Sequence, residues 1–210
     1  MSGQTTLGLE STSREIDARG GHLRFWPAFL PLDEADRFFE GLWRGLEWSR
    51  HFVHIAGRRI PSPRLSAWYG VEGARYRYSG QTYEPLPMVP LLARLRRVVE
   101  ETVGSPFNSV LANAYRDGSD SMGWHSDDEK ELGRQPVIAS VSLGATRRFR
   151  MKHRSARIDP IELDLTHGSL LVMDEDTQTN WRHAIPKTKR EVGPRLNLTF
   201  RRILDLDRVE

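Results

Sequence analysis

"RLNLTFR", Arg195–Arg201, alternates polar and apolar residues without a fault. In an extended chain successive side chains point to opposite faces. Arg195, Asn197, Thr199 and Arg201 therefore share one face, and Leu196, Leu198 and Phe200 share the other. A strand this regular has its apolar face in a core. If helices or a second sheet cover that face, the polar face looks into a barrel or cleft. Two guanidiniums enclosed there need an anion, because an unpaired buried charge is very costly. On an open sheet face the same arginines would pair with surface acids, and the strand alone leaves both readings open.

The period of two extends back from this strand to about Ser109. "VLANAYR", "VIASVSLG", "RRFRMKHR", "IDPIELDL" and "HGSLLVMD" are short strands separated by Gly, Pro, Asp and Asn. With "RLNLTFRRI" they make six, and six short strands at regular spacing point to a closed or double-sheet structure such as a jelly roll. Before Ser109 the period is helical. In "LDEADRFFEGLWRGLEW" Asp33 can cap a helix whose apolar residues are Phe38, Phe39, Leu42, Trp43 and Leu46. In "PMVPLLARLRRVVEETVG" Leu91, Leu92, Leu95, Val98 and Val99 form a stripe and Gly104 is a stop. The fold expected is α+β, mainly β: a double-stranded β-helix (jelly roll) core with N-terminal helices packed on one sheet. Residues 1–20, rich in Ser, Thr and Gly, are expected as a flexible tail, and residues 21–210 as a single domain with its jelly-roll core at about 107–204.

The chain has 210 residues and no cysteine. That excludes disulfides and thiolate metal sites, so any metal must accept histidine and carboxylate. No apolar run approaches the ~20 residues that cross a bilayer, and the N-terminus has no signal-peptide core. A cytoplasmic monomer without a membrane partner is expected. The net charge is +3 and the sequence pI about 9.4, a basic excess that suits a polyanion without demanding one.

"GWHSDDE", Gly123–Glu129, raises a chemical possibility. His125 and Asp127 fall on one face of an extended chain and could be two legs of a metal tripod. Such H-x-D patterns are common by chance in solvated loops. The 2-His-1-carboxylate arrangement of non-haem Fe(II) sites needs a further histidine from elsewhere. His183 in "NWRHAIP", before the last strand, is the better candidate, and His167 is the rival. "NAY" adds Asn113 and Tyr115, which share a face and could bond the same anion as the arginine strand. A hard-metal tripod beside a polar strand built for a small dianion is the combination that 2-oxoglutarate oxygenases use.

These stretches resemble a known family, the AlkB-type Fe(II)/2-oxoglutarate dioxygenases that demethylate nucleobases. "NAYRDGSDSMGWHSDDE" is similar to their metal-binding segment, "PVIASVSLG" to a phrase found there, "HGSLLVM" with "NWRHAIP" to the segment carrying the second metal histidine, and "PRLNLTFR" to their 2-oxoglutarate strand. The resemblance runs from about Pro61 to Leu204. It implies that His125, Asp127 and His183 bind Fe(II), with O2 as the oxidant. Arg195 and Arg201 would hold the two carboxylates of 2-oxoglutarate, Arg201 the distal one, with Asn113, Tyr115 and Thr199 in support. Asp128, as a catalytic residue, and Glu129 match an acidic pair near the cationic methylated base. Hairpins at about 48–83 would recognise the nucleotide: Tyr78 stacks on an extruded base, with Tyr76 beside it, and Ile55 and Arg58 sit at the tip of "HFVHIAGRRIPSPR". The implied activity is oxidative demethylation of 1-methyladenine and 3-methylcytosine in DNA, single-stranded or duplex, with formaldehyde released; RNA stays open as a further substrate.

The polyanion needs a basic surface. "RRFRMKHR" supplies Arg148, Arg150, Lys152 and Arg154 in alternation, which points to phosphate contact by Arg148 and Arg150, although such a row is usually only a solvated face. Three other functions stay open. The same chemistry could act on a protein or small molecule, where a base-stacking tyrosine has no place. A zinc hydrolase could use the same ligands but has no use for an arginine clamp. A catalytically inactive nucleic-acid-binding module would not need to keep the whole tripod.

Overall fold

The computed structural model describes residues 12–55, 58–74, 76–78 and 81–204, and of residues 53–55, 58, 59, 76–78 and 81–83 the backbone alone. In chain order the strands and helices are β1 (Arg14–Ala18), β2 (Gly21–Trp26), α1 (Leu32–Gly45), β3 (Phe52–Ile55), β4 (Arg58–Pro61), β5 (Leu65–Gly70), β6 (Tyr76–Tyr78), β7 (Gln81–Tyr83), β8 (Leu86–Pro87), α2 (Pro90–Val103), β9 (Ser109–Tyr115), β10 (Met122–His125), β11 (Ile138–Gly144), β12 (Arg147–His153), β13 (Ile161–Leu165), β14 (Ser169–Asp174), α3 (Thr177–Asn180), β15 (Trp181–Ile185) and β16 (Arg195–Arg201). A large sheet runs β1-β2-β14-β11-β16-β9-β5-β8 and a small one β10-β15-β12-β13, while β3-β4 and β6-β7 are separate hairpins. The two larger sheets form the jelly roll, and the fold is mainly β with helices on one side.

The alternation of β16 explains the layering. Leu196, Leu198 and Phe200 enter a core with Ala112 and Ala114 of β9, Ala139, Val141 and Leu143 of β11, and Leu170 and Val172 of β14. Phe38 and Leu42 of α1 and Leu92, Leu95 and Val99 of α2 close that core from outside. The other face of the large sheet meets the small one across a second core that includes Tyr115, Phe149, Met151, Leu171, Met173 and Trp181. Burial of one apolar stripe per helix holds the layers together, and truncating a residue such as Phe38 would cost about 3–5 kcal/mol. Gly104 ends α2 in the left-handed region at φ 73°, with its N–H bonded to the Glu100 carbonyl. Gly144 ends β11 at φ 85°, and a Cβ there would lie 2.5 Å from the Pro194 carbonyl oxygen. That position admits glycine alone and holds the β11–β12 turn against the start of β16.

Three expectations change. Asp33 does not cap α1: the N-cap is Pro31, with no side-chain cap bond, and Asp33 lies in the first turn, where it still favours the helix dipole. The flexible tail does not extend to residue 20, because Arg14–Ala18 pairs with β2 through a tight turn whose Gly20 has φ 70°. Ile16 and Ala18 pack on the inner core, a signal of only two apolar residues in a polar stretch. Finally, β1, β2, β5, β8, β10 and β15 join the six strands read from sequence in the two larger sheets. β10 and β15 are short, and their patterns are interrupted by the functional residues they carry.

Candidate functional site

β10 and β15 are antiparallel neighbours, and His125 is the direct register partner of His183. The two rings meet edge to face with centroids 4.2 Å apart. Asp127 follows β10 by two residues. Ligand atoms of His125, Asp127 and His183 all lie within 4.8 Å of one another, and this is the one such cluster among the described residues. His167, the rival, is elsewhere: its Nδ1 accepts the Gly144 N–H at 2.8 Å and its Nε2 lies 3.1 Å from Asp36 Oδ1. It ties the β11 turn to α1 and takes no part in the cluster.

The surroundings prepare these groups for a metal. His125 Nδ1 bonds the Gly123 carbonyl at 2.9 Å, which leaves Nε2, 3.8 Å from Asp127 Oδ1, as a lone-pair donor. The Asp127 N–H donates to Gln178 Oε1 at 2.9 Å, and Ser126 Oγ donates to the Trp181 carbonyl at 2.7 Å, so both ligand-bearing segments are tied together. Burial, and then His125, push the His183 pKa down to about 3, and burial lowers His125 as well. For Asp127 burial works upward, but Arg201, His183 and His125 outweigh it and hold the carboxyl at about 2. At neutral pH the cluster therefore offers two neutral imidazoles and one carboxylate, the protonation state a metal requires. His183 Nδ1 is buried with no hydrogen-bond partner among the described residues. Two nitrogens and one oxygen, with no thiolate, fit an Fe(II) facial site.

A cavity of about 120 Å³ lies between the two sheets, with the cluster on one wall and the polar face of β16 on the other. Arg195, Asn197, Thr199 and Arg201 line it, with Asn113 and Tyr115 of β9. Arg195 faces Tyr115 and Asn197 faces Asn113 across the β16–β9 ladder. Arg195 is 1% exposed. One of its nitrogens donates to Ser142 Oγ at 2.8 Å, its guanidinium lies 5.1 Å from the Tyr115 ring centroid, and its Nε and Nη1 have no partner among the described residues. Burial lowers its pKa to about 10, so it stays a cation at neutral pH. A buried cation that lines a cavity, with two donors left without a partner among the described residues, is built to hold an anion.

The two arginines sit in different surroundings. Arg201 donates to Asp127 Oδ1 at 2.7 Å and is as buried as its partner. Its guanidinium therefore lies against the His125–Asp127–His183 cluster. Arg195 stands at the opposite end of β16. The sequence spacing holds both arginines on one face but says nothing of which end the metal occupies.

The acidic pair also divides. Glu129 lines the cavity. Asp128 does not: its side chain is half exposed and ion-paired with Arg154, which also donates to Ser126 Oγ at 2.8 Å. Arg148 and Arg150 are not an open cationic face either. Cross-strand register places Asp164 opposite Arg148 and Glu162 opposite Arg150. Arg148 bonds Asp164 at 2.6 Å and Glu162 at 2.8 Å, and Arg150 bonds Glu162 at 2.7 Å. The acids of "IELDL" were visible in sequence, but their register was not. The side chains of Tyr76, Tyr78, Ile55 and Arg58 lie outside the described residues, as does the hairpin tip Ala56-Gly57; the backbone places Ile55 opposite Arg58 in β3–β4 and both tyrosines in the β6–β7 hairpin.

Sequence reading missed Arg64, Gln178 and Arg147. Arg64 is 8% exposed, lines the cavity and donates from Nε to Asn113 Oδ1 at 2.8 Å. Arg147 is buried behind Tyr115 and caps the carbonyls of Asp117, Asp120 and Pro186. Arg147 is the inward member of the "RRFR" alternation, a signal that was present but read only for its outer face.

A family model described as the 2OG-Fe(II) oxygenase superfamily matches residues 22–201. The chain is similar to the alpha-ketoglutarate-dependent dioxygenase alkB homolog 3 of Bos taurus, at 42% identity over 186 residues, 84% of this chain and 64% of that protein. It is also similar to the DNA oxidative demethylase ALKBH2 of Mus musculus, at 44% identity over 181 residues, 81% of this chain and 76% of that protein. The chain thus spans just under two thirds of the bovine relative's length. The solved structure of OsALKBH1 matches with a TM-score of 0.64 at 17% identity, over 90% of this chain and 100% of that one, which is a likeness of fold.

Proposed function

This chain belongs to the 2OG-Fe(II) oxygenase superfamily, and from that premise we propose that it is an Fe(II)- and 2-oxoglutarate-dependent dioxygenase that demethylates N-alkylated bases in nucleic acid. 1-Methyladenine and 3-methylcytosine in DNA are the proposed substrates, with RNA as a second backbone. The observation that carries the reading is the pairing, on the walls of one cavity, of the His125–Asp127–His183 cluster with Arg195 and its unpartnered donors. Similarity to a protein named as a DNA oxidative demethylase supports the substrate class.

In this reading His125, Asp127 and His183 hold the iron. Arg201 steadies Asp127 and the near carboxylate of 2-oxoglutarate; Arg195 grips the distal carboxylate, with Tyr115, Thr199 and Asn113 shaping its bed. Bound iron and 2-oxoglutarate, with O2, supply an oxidation in which one oxygen atom enters succinate as CO2 leaves and the other enters the N-methyl C–H bond, after which the C–N bond breaks to free formaldehyde and the base. The apolar walls, Leu111, Met122, Phe149, Leu165 and Ile185, exclude water and strengthen each electrostatic contact inside. Glu129 favours a base that methylation has made cationic. The hairpins β3–β4 and β6–β7 supply base and strand contacts through Tyr76, Tyr78, Ile55 and Arg58.

The test is formaldehyde release from oligonucleotides bearing 1-methyladenine or 3-methylcytosine, with iron(II), 2-oxoglutarate and ascorbate. Release that requires both iron and 2-oxoglutarate is expected. Uncoupled succinate formation with no formaldehyde from any methylated oligonucleotide would move the substrate to a protein or small molecule. Turnover with zinc and without 2-oxoglutarate would overturn the reaction class.

A further inference from the structure

The outer face of the small sheet is divided electrostatically. Arg148 and Arg150 are neutralised by Glu162 and Asp164 of β13. Towards the other edge the cations have no such acids. Lys152 of β12 and Arg182 of β15 are register partners, both exposed, and neither makes an ion pair among the described residues. Beside them, on the edge strand β10, Trp124 is 39% exposed. The Lys152 ammonium lies 4.5 Å from the centroid of its indole. β15 runs between β10 and β12, so the contact of Lys152 with Trp124 spans that strand.

Trp124 directly precedes His125; the register of β10 shifts between Met122 and His125, and while His125 lines the cavity the Trp124 ring lies under the Lys152 ammonium on the outer face. His125, 28% of its side chain exposed, lines the cavity with Glu129. β10 is the outer strand of its sheet, so a chain that leaves the cavity past His125 and rounds that edge meets Trp124, the neighbouring residue of the strand. An exposed indole flanked by two unneutralised cations matches what a single strand presents, an aromatic base and its phosphates. Lysine on a flexible stem can leave the ring for a phosphate while a base takes its place.

We propose that Trp124, Lys152 and Arg182 form a second nucleic-acid contact, a stacking platform for the single strand flanking the base under repair. The proposal rests on the nucleic-acid reading above. Trp124 stacks one unpaired base, and Lys152 and Arg182 each hold a phosphate. The platform lies outside the cavity and takes no part in binding 2-oxoglutarate.

The experiment measures fluorescence anisotropy of labelled single strands, a methylated 4-mer and a methylated 12-mer, on protein loaded with Mn(II) and 2-oxoglutarate. Trp124→Leu and the double variant Lys152→Gln/Arg182→Gln should each weaken the 12-mer about tenfold or more, because one stacked base or two phosphates are lost. Both should leave the 4-mer and the 2-oxoglutarate titration within twofold of wild type. Trp124→Phe should restore most of the 12-mer affinity. The double variant should lower the slope of log K against log salt by about 1.4, at ~0.7 per phosphate on a single strand. Trp124→Leu binding the 12-mer as wild type does would overturn the platform and leave the face to an acidic protein surface. A 2-oxoglutarate titration that fails in Trp124→Leu would show the residue to be a support for His125, which also overturns it. Wild-type protein that binds no oligonucleotide would instead overturn the nucleic-acid reading itself.

Discussion

Replacing Arg195 with methionine should make the ligand-free protein more stable while crippling its hold on 2-oxoglutarate. The side chain is 1% exposed, and burial lowers its pKa from the ordinary 12.5 to about 10. At ~1.4 kcal/mol per pH unit that drop corresponds to roughly 3 kcal/mol by which the fold disfavours the cation at neutral pH. Loss of the Ser142 hydrogen bond returns about 1 kcal/mol. Methionine fills a similar volume without a charge, so the net gain is about 2 kcal/mol, or a Tm increase of roughly 4–8 °C at this size. The ligand-loaded protein goes the other way. Removing one partner of a buried charge pair costs about 2–5 kcal/mol, so 2-oxoglutarate should bind from ~30-fold to several thousand-fold more weakly. Differential scanning calorimetry and isothermal titration, both with Mn(II) in place of iron, read the two effects. A variant that melts earlier than wild type without ligand and still binds 2-oxoglutarate normally would show Arg195 to be an ordinary structural residue and refute the anion clamp.

Four further outcomes are expected. His125→Ala, Asp127→Ala and His183→Ala should each abolish formaldehyde release, while His167→Ala retains it and loses only about 1 kcal/mol of stability with its bond to Gly144; activity in His183→Ala would remove the third ligand. Glu129→Gln should slow cationic 1-methyladenine more than neutral 3-methylthymine, whereas Asp128→Asn, which breaks the pair with Arg154, should slow both alike; initial rates on the two lesions decide between the acids. His22 sits between Asp174 at 2.8 Å and Glu15 at 2.6 Å; burial opposes the charge, but these acids raise its pKa. Its contribution is present below the unfolded pKa of about 6.5 and lost as pH rises through the raised folded value, so the urea midpoints of wild type and His22→Gln should differ at pH 5.5 and converge above pH 8. Single-stranded substrates should be turned over at least as fast as duplex ones, because Ala56 and Gly57 are too small to replace a flipped base; Ile55→Ala should slow the duplex selectively, and a strong duplex preference insensitive to Ile55 would place the wedge elsewhere.

Much of this architecture is written in local pattern. Alternation in "RLNLTFR" determined that one face of β16 is a core and the other a polar wall, and the same alternation in five other segments determined a β-rich fold. The helical stripe of Leu92, Leu95 and Val99 and the stop at Gly104 needed no tertiary information, since each follows from the 3.6-residue period and from glycine's freedom at positive φ. The spacing of His125 and Asp127 determined that they could act together. Period and spacing constrain which way a side chain points, and nothing more.

What lies opposite a side chain is a matter of register between strands distant in sequence, and only the tertiary structure decided it. It brought His183 opposite His125 and left His167 against Asp36 of α1. It put Arg201 against Asp127 and Arg195 at the far end of the cavity. It sent Glu129 inward and Asp128 to Arg154, and it set acids across from Arg148 and Arg150 while leaving Lys152 and Arg182 open beside Trp124. Electrostatic roles depend on neighbours within a few ångströms, and in a β-sheet those neighbours come from other strands.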